Sequence, residues 1–135
     1  MSIRAIPLLV LSFILYNIVV LASGVEGLSA PILEKVRLLS GGEWTFTWGD
    51  LILLVTLILL FAEIVKATFT STSSLIDHAL SMIVFIAMLV EFLVVPQAAT
   101  SVFFLILVAG VIDVIAGYTI GIRVARRDLS IGGDQ

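Results

Sequence analysis

The sequence predicts an all-α integral membrane protein, a four-helix bundle with a short interfacial helix in its first outer loop. Three observations carry that expectation. Hydrophobic residues make up 61% of the 135 positions and charged residues only 13%, against about a quarter charged in an ordinary soluble domain. The missing charge is concentrated in four long apolar blocks rather than thinned out evenly, the pattern of a polytopic helical membrane protein. Turn and capping residues separate those blocks. A soluble core of this length has no room for so much apolar surface. A single transmembrane domain over residues 1–135 follows, with spans at 5–23, 48–70, 75–95 and 98–122 and an interfacial loop at 24–47.

The first block, AIPLLVLSFILYNIVVLAS (Ala5 to Ser23), follows Arg4. Pro7 falls in its first turn, where a missing amide hydrogen costs little. Val20-Leu21-Ala22 loosely fits a signal-peptide cleavage site, but the apolar run is long for a signal core and Tyr16 and Asn17 interrupt it. A retained helix is therefore expected. In the loop, Ser29 is placed to cap a short helix with Pro31 in its first turn, and Gly41 and Gly42 are placed to stop it. Ile32, Val36 and Leu39 fall on one side of that helix, as in a segment lying in the membrane interface. Trp44, Phe46 and Trp48 alternate with threonines, and the tryptophans are expected to anchor the loop at headgroup depth.

The second span opens on Thr47-Trp48-Gly49-Asp50 and the third on Ser74-Leu75-Ile76-Asp77, each matching a capping box. Such boxes satisfy exposed amide donors and put negative charge at a helix N-terminus. Pro96 closes the third span, and the fourth runs from about Ala98 to Ile122. Arg4, Lys66, Arg123, Arg126 and Arg127 then fall on one side, and Lys35 and Arg37 on the other. The positive-inside rule puts both termini in the cytoplasm of an inner-membrane protein, with the aromatic loop outside.

Several function classes are excluded or weakened. The chain has no cysteine, which removes disulfides, thiolate metal sites and cysteine nucleophiles. A net charge of −3 without a basic stripe gives no reason to expect a nucleic-acid partner. One histidine, and no paired metal-ligand or phosphate-loop motif, leave little from which to build an enzyme site. No catalytic residue, metal or cofactor is expected.

The chemistry lies in acids placed inside the apolar blocks. Such groups are costly in lipid and turn toward the bundle interior or water. Glu63 lies thirteen residues after Asp50, and Asp113 thirteen after Thr100. Both spans run inward from the outer face, so both acids fall in one layer, about 20 Å down. Burying two like charges there favours a shared proton. Glu91, on the returning helix, is placed to reach outer-interface water. His78, the only histidine, lies near the inner boundary.

Each helix also carries a narrow stripe of polar or small residues. Thr56, Glu63 and Thr70 share one side of the second span; Asp77, Ser81, Val84, Met88 and Glu91 share one side of the third. Gly110, Asp113, Gly117 and Gly121 do so on the fourth, and Gly117 to Gly121 is a GxxxG pattern. These glycines are expected to form the packing seam of the fourth span, against the second span or another protomer. Thr56, Thr70 and Lys66 are candidate donors to Asp113.

Two functions compete. One is a structural or accessory subunit that associates, through its helices, with itself or with a larger membrane complex, its remaining partner being the lipid bilayer. The other is a small proton- or ion-coupled transporter or channel using Glu63, Asp113 and His78. The size and span count are similar to those of small multidrug-resistance transporters, but the essential glutamate of that family's first helix has no counterpart between Arg4 and Ser23. The four-span layout and the segment FAEIVKATF (Phe61 to Phe69) resemble the phosphate-starvation-inducible small membrane protein family. That resemblance implies a bacterial inner-membrane protein and supplies no active site to transfer. The sequence alone ranks the accessory role first.

Overall fold

Helix α1 covers Val10–Ser23, strands β1 and β2 cover Val36–Arg37 and Glu43–Trp44, and helices α2, α3 and α4 cover Trp48–Ala67, Ser74–Val94 and Ser101–Gly133. One 3-10 turn, Val25–Ser29, follows α1, and another, Pro96–Ala98, joins α3 to α4. This is a computed structural model that describes residues 6–69 and 74–133. Among the described residues, the structure is helical apart from the loop after α1 and short turns at the helix ends. Three segments, Trp48–Ala67, Ile76–Val94 and Ser101–Arg123, are long and apolar enough to cross a membrane.

Helix α4 is the spine. It packs along both α2 and α3, while α1 lies mainly against α2 and touches α4. Between the helices sits a core of Tyr16, Ile52, Met88, Phe103 and Ile106, all essentially closed to solvent. Phe103 is its hub, edge-on to Tyr16 at 4.9 Å and stacked with Phe92 at 6.1 Å. A second, smaller cluster joins Leu9, Leu60 and Ala109 nearer the other end. Leu57, Phe61, Ile83, Leu93 and Ile115 point outward, exposed. Hydrocarbon is the environment such a surface suits, since a soluble monomer rarely exposes large continuous apolar area.

The buried hydroxyl of Tyr16 ties the hairpin end of the bundle together. It donates to the Gln97 carbonyl at 2.7 Å and lies 2.7 Å from Thr100 Oγ1. Asn17, one residue on, donates from Nδ2 to Glu91 Oε2 at 3.2 Å. The two polar residues that interrupt the first apolar block therefore tie α1 to α3 and to the α3–α4 connection. The capping box of α2 is complete: Asp50 N–H donates to Thr47 Oγ1 and Thr47 N–H to Asp50 Oδ2. The corresponding contact of Ser74, and Thr70 in the α2 stripe, lie outside the described side chains.

Two expectations are corrected. The span at 5–23 is helical only from Val10. Proline lacks the amide hydrogen, and its ring disfavours helical backbone in the residue before it. The chain around Pro7 accordingly forms tight turns, Val10 N–H to Pro7 O and Leu11 N–H to Leu8 O. The remaining 14 residues reach about 21 Å, short of a hydrocarbon core of about 30 Å. A fourth full span is thus not established by the helix alone.

The short interfacial helix expected from Ser29 onward is instead a β-hairpin. Strand β1 pairs antiparallel with β2, Val36 opposite Trp44 and Arg37 opposite Glu43. An isolated bridge joins Pro31 to Thr47. Amide donors are satisfied across the loop: Ile32 N–H to Phe46 O, Leu38 N–H to Gly42 O, Trp48 N–H to Ala30 O. Gly41, with φ of 88°, supplies the reversal that a side chain would resist. An isolated helix of ten or so residues is marginal in water. The hairpin wins because the alternation Trp44-Thr45-Phe46-Thr47 suits a strand and the two glycines supply its turn.

Candidate functional site

At the end of the bundle away from the hairpin, the last turns of α2 meet the first turns of α3 and the middle of α4. They line a partly open cavity of about 20 Å³, the room of one water molecule. Its walls come from four segments: Pro7 before α1; Glu63, Lys66 and Ala67 on α2; Asp77, His78 and Ser81 on α3; Asp113 and Gly117 on α4. Glu63, Asp113 and His78, far apart in sequence, converge here. Toward the hairpin, Met88 and the cluster of Leu9, Leu60 and Ala109 close the space with apolar bulk. The cavity therefore belongs to the opposite end, where Lys66 and the exposed Arg123 also lie.

Burial is deepest for the two acids that the sequence places in one layer: Glu63 and Asp113 are each only 7% exposed. Glu63 is not a bare charge. One of its oxygens accepts the backbone amide of Leu8, and the same oxygen lies 3.9 Å from Lys66 Nζ. The first amides of a helix have no partner within it, and they attract negative charge. The start of α1 has no side-chain cap of its own. Its amides at Val10 and Leu11 donate to the Pro7 and Leu8 carbonyls, while the α2 carboxylate ties down the turn before the helix through Leu8 N–H. Lys66 adds a second tie, donating to the Ile6 carbonyl at 3.4 Å.

Asp113 is covered differently. Ser81 of α3 faces it, and Glu63 and Lys66 of α2 lie within range of its charge. Thr56 is not a donor to it, because its hydroxyl is bonded within its own helix to Ile52 O at 2.7 Å. Three carboxyl groups share the cavity with a single lysine. Among the described residues, no three His, Asp or Glu side chains converge closely enough to hold a metal ion.

Within the chain, Gly110, Gly117 and Gly121 of α4 receive side chains of α3 rather than of α2. A Cβ on Gly110 would stand 2.7 Å from Met88 Cε; on Gly117, 2.8 Å from His78 Nδ1; on Gly121, 2.6 Å from His78 Nε2. The imidazole thus lies in a trough cut by two glycines one turn apart, stacked on Tyr118 at 4.9 Å. His78 Nε2 and Asp77 Oδ1 are buried without a hydrogen-bond partner among the described residues. At the other end Trp44 and Trp48 are partly exposed and Trp44 packs edge-on against Phe46. Glu91 is half-buried and held by Asn17.

Sequence spacing put Glu63 and Asp113 on one level and the α4 glycines on one face; the two acids line one cavity and the glycines lie against α3. It missed the Leu8 amide, because a backbone donor 55 residues from Glu63 leaves no side-chain signature. The partner of the glycine seam was equally hidden, since stripe geometry tells which face packs but not against what. Compared with family models, characterised proteins and solved structures, the chain matches none.

Proposed function

We propose that this protein binds and releases protons within the membrane, its acid cavity serving a small proton-coupled transport or channel activity. The observation that supports the reading is the convergence of Glu63 and Asp113, both buried, with Lys66, Asp77, His78 and Ser81 around one water-sized space. Ionisable groups are expensive at membrane depth, and those kept there mark ion or proton paths by default. Mutually facing carboxylates take up a proton more readily than isolated ones. In this reading the chain is a multi-pass protein of a bacterial inner membrane, both termini cytoplasmic, and the cavity exchanges protons with the cytoplasmic side.

Association with itself or with a larger complex, the role that ranks first on sequence alone, rested on the glycine stripe of α4. That stripe is occupied within the chain by His78 and Met88. Its remaining support is the outward apolar surface, which lipid covers equally well.

Reconstituted vesicles enclosing a pH-sensitive dye provide the test. Under an imposed pH gradient, the protein is expected to accelerate proton equilibration over protein-free vesicles. Asp113→Asn, which keeps the shape and removes the titrating group, is expected to abolish the acceleration. Equal rates with and without protein, under either direction of gradient, refute the reading and leave the accessory role.

A further inference from the structure

Apart from the acid cavity, α2 and α4 line a partly open apolar groove of about 220 Å³. Helix α4 contributes Leu105, Val108, Ala109 and Ile112 to it, and Leu57 and Leu60 come from α2. Thr56, also in the wall, keeps its hydroxyl on Ile52 O and offers the groove no free polar group. The same face of α4 changes character further along. An α-helix returns to its starting direction after eighteen residues, five full turns. Eighteen residues on from Leu105, Val108 and Ala109 stand Arg123, Arg126 and Arg127, all three exposed. Between groove and arginines this face holds Ala116 and Thr119, and Thr119 turns its hydroxyl back to Ile115 O at 2.8 Å. The strip therefore stays low and apolar until Arg123, where the segment able to cross a membrane ends.

We propose that this face binds an anionic phospholipid from the leaflet on the arginine side. The arginines hold its phosphate, and an acyl chain runs over Thr119 and Ala116 to the groove. Length, charge and shape all argue for that occupant. From Ile112, the groove residue of α4 nearest the arginines, to Arg123 is eleven residues. That is about 16 Å along the axis, close to one leaflet's share of a hydrocarbon core of about 30 Å. Guanidinium groups match phosphate oxygens with paired N–H donors, and three at i, i+3 and i+4 fall on one patch. A zwitterionic headgroup brings its own cation to that patch and gains less from it. A second copy, docked by a two-fold axis along the membrane normal, would set its three arginines against these, and like charges oppose that. The site lies outside the acid cavity and does not depend on proton movement there.

Native mass spectrometry of the full chain in mild detergent reads bound lipid directly. The probes are phosphatidylglycerol and phosphatidylcholine with the same long chains, a short-chain phosphatidylglycerol, and inorganic phosphate. Long-chain phosphatidylglycerol is expected to bind about tenfold more tightly than its phosphatidylcholine counterpart. Each arginine near an anionic surface contributes about fivefold, so Arg123→Gln with Arg126→Gln is expected to weaken phosphatidylglycerol about twentyfold and leave phosphatidylcholine unchanged. Both side chains are exposed, so the double variant keeps the fold. Leu105→Trp fills the groove from its exposed edge; it is expected to bring long-chain binding down to the short-chain level while the preference for the anionic headgroup persists. Phosphatidylglycerol bound no better than phosphatidylcholine overturns the proposal, and so does a double arginine variant that binds like the unmodified protein. Short-chain lipid or inorganic phosphate binding as tightly as the long-chain lipid makes the arginines a free-anion site and overturns the groove's part. A dimer that Leu105→Trp dissolves places a second copy in the groove and overturns it as well.

Discussion

Gly117 is the position where a single methyl group tests the α3–α4 seam most sharply. A Cβ built there stands 2.8 Å from His78 Nδ1 and 2.9 Å from Cε1, so the ring must retreat by roughly 0.6 Å to restore ordinary contact. It has little freedom to do so, since Tyr118 stacks on it at 4.9 Å and Gly121 approaches Nε2. Overpacking of this kind costs about 1–3 kcal/mol, offset by about 1 kcal/mol of helix propensity on replacing glycine with alanine. Gly117→Ala is therefore expected to lose roughly 0–2 kcal/mol, and Gly117→Leu about 3 kcal/mol or more. Gly110 is the control. There the clash is with Met88 Cε, the end of a flexible chain, so Gly110→Ala is expected to equal or exceed the unmodified protein. Asp113→Asn should retain much of the packing, because an amide still bonds with Ser81. Thermal unfolding in detergent, followed by circular dichroism, ranks the four variants. Should Gly117→Leu unfold with the unmodified protein, or Gly110→Ala prove worse than Gly117→Ala, the seam is not where stability resides.

Tyr16→Phe removes a hydroxyl bonded to Gln97 O and Thr100 Oγ1; it is expected to cost about 1–3 kcal/mol, because buried acceptors lose their donor, and a change below 0.5 kcal/mol in detergent unfolding contradicts that. For orientation, single cysteines at Ser2, Glu43, Ser73 and Asp134 should be labelled from outside intact cells only at position 43; label at 134 but not 43 inverts the assignment.

The apolar length of three helices and the start of α2 were legible in the sequence because each depends on one-dimensional spacing. Where the helix runs the length of its apolar block, as in α2, α3 and α4, the run marks a segment able to cross a membrane wherever it packs. Equal spacing from two helix starts reports a common level along the bundle, and Glu63 and Asp113 line one cavity. A capping box involves residues three apart, so Thr47 and Asp50 declared the start of α2 unaided. The loop after α1 was less legible, since Gly41-Gly42 ends a helix as readily as it turns a hairpin. Only the pairing of Val36 with Trp44 decides between them.

Tertiary structure alone decided what each face touches. A stripe of small residues shows where a partner can come close, yet several helices compete for the trough; here α3 fills it with His78 and Met88. Pro7 limited α1, and the amide donor thereby exposed at Leu8 found its acceptor on α2. Apolar patterning thus determined which segments are long and apolar enough to cross a membrane. Shape and hydrogen-bond satisfaction among those segments determined that the acids, the histidine and the start of α1 meet around one cavity.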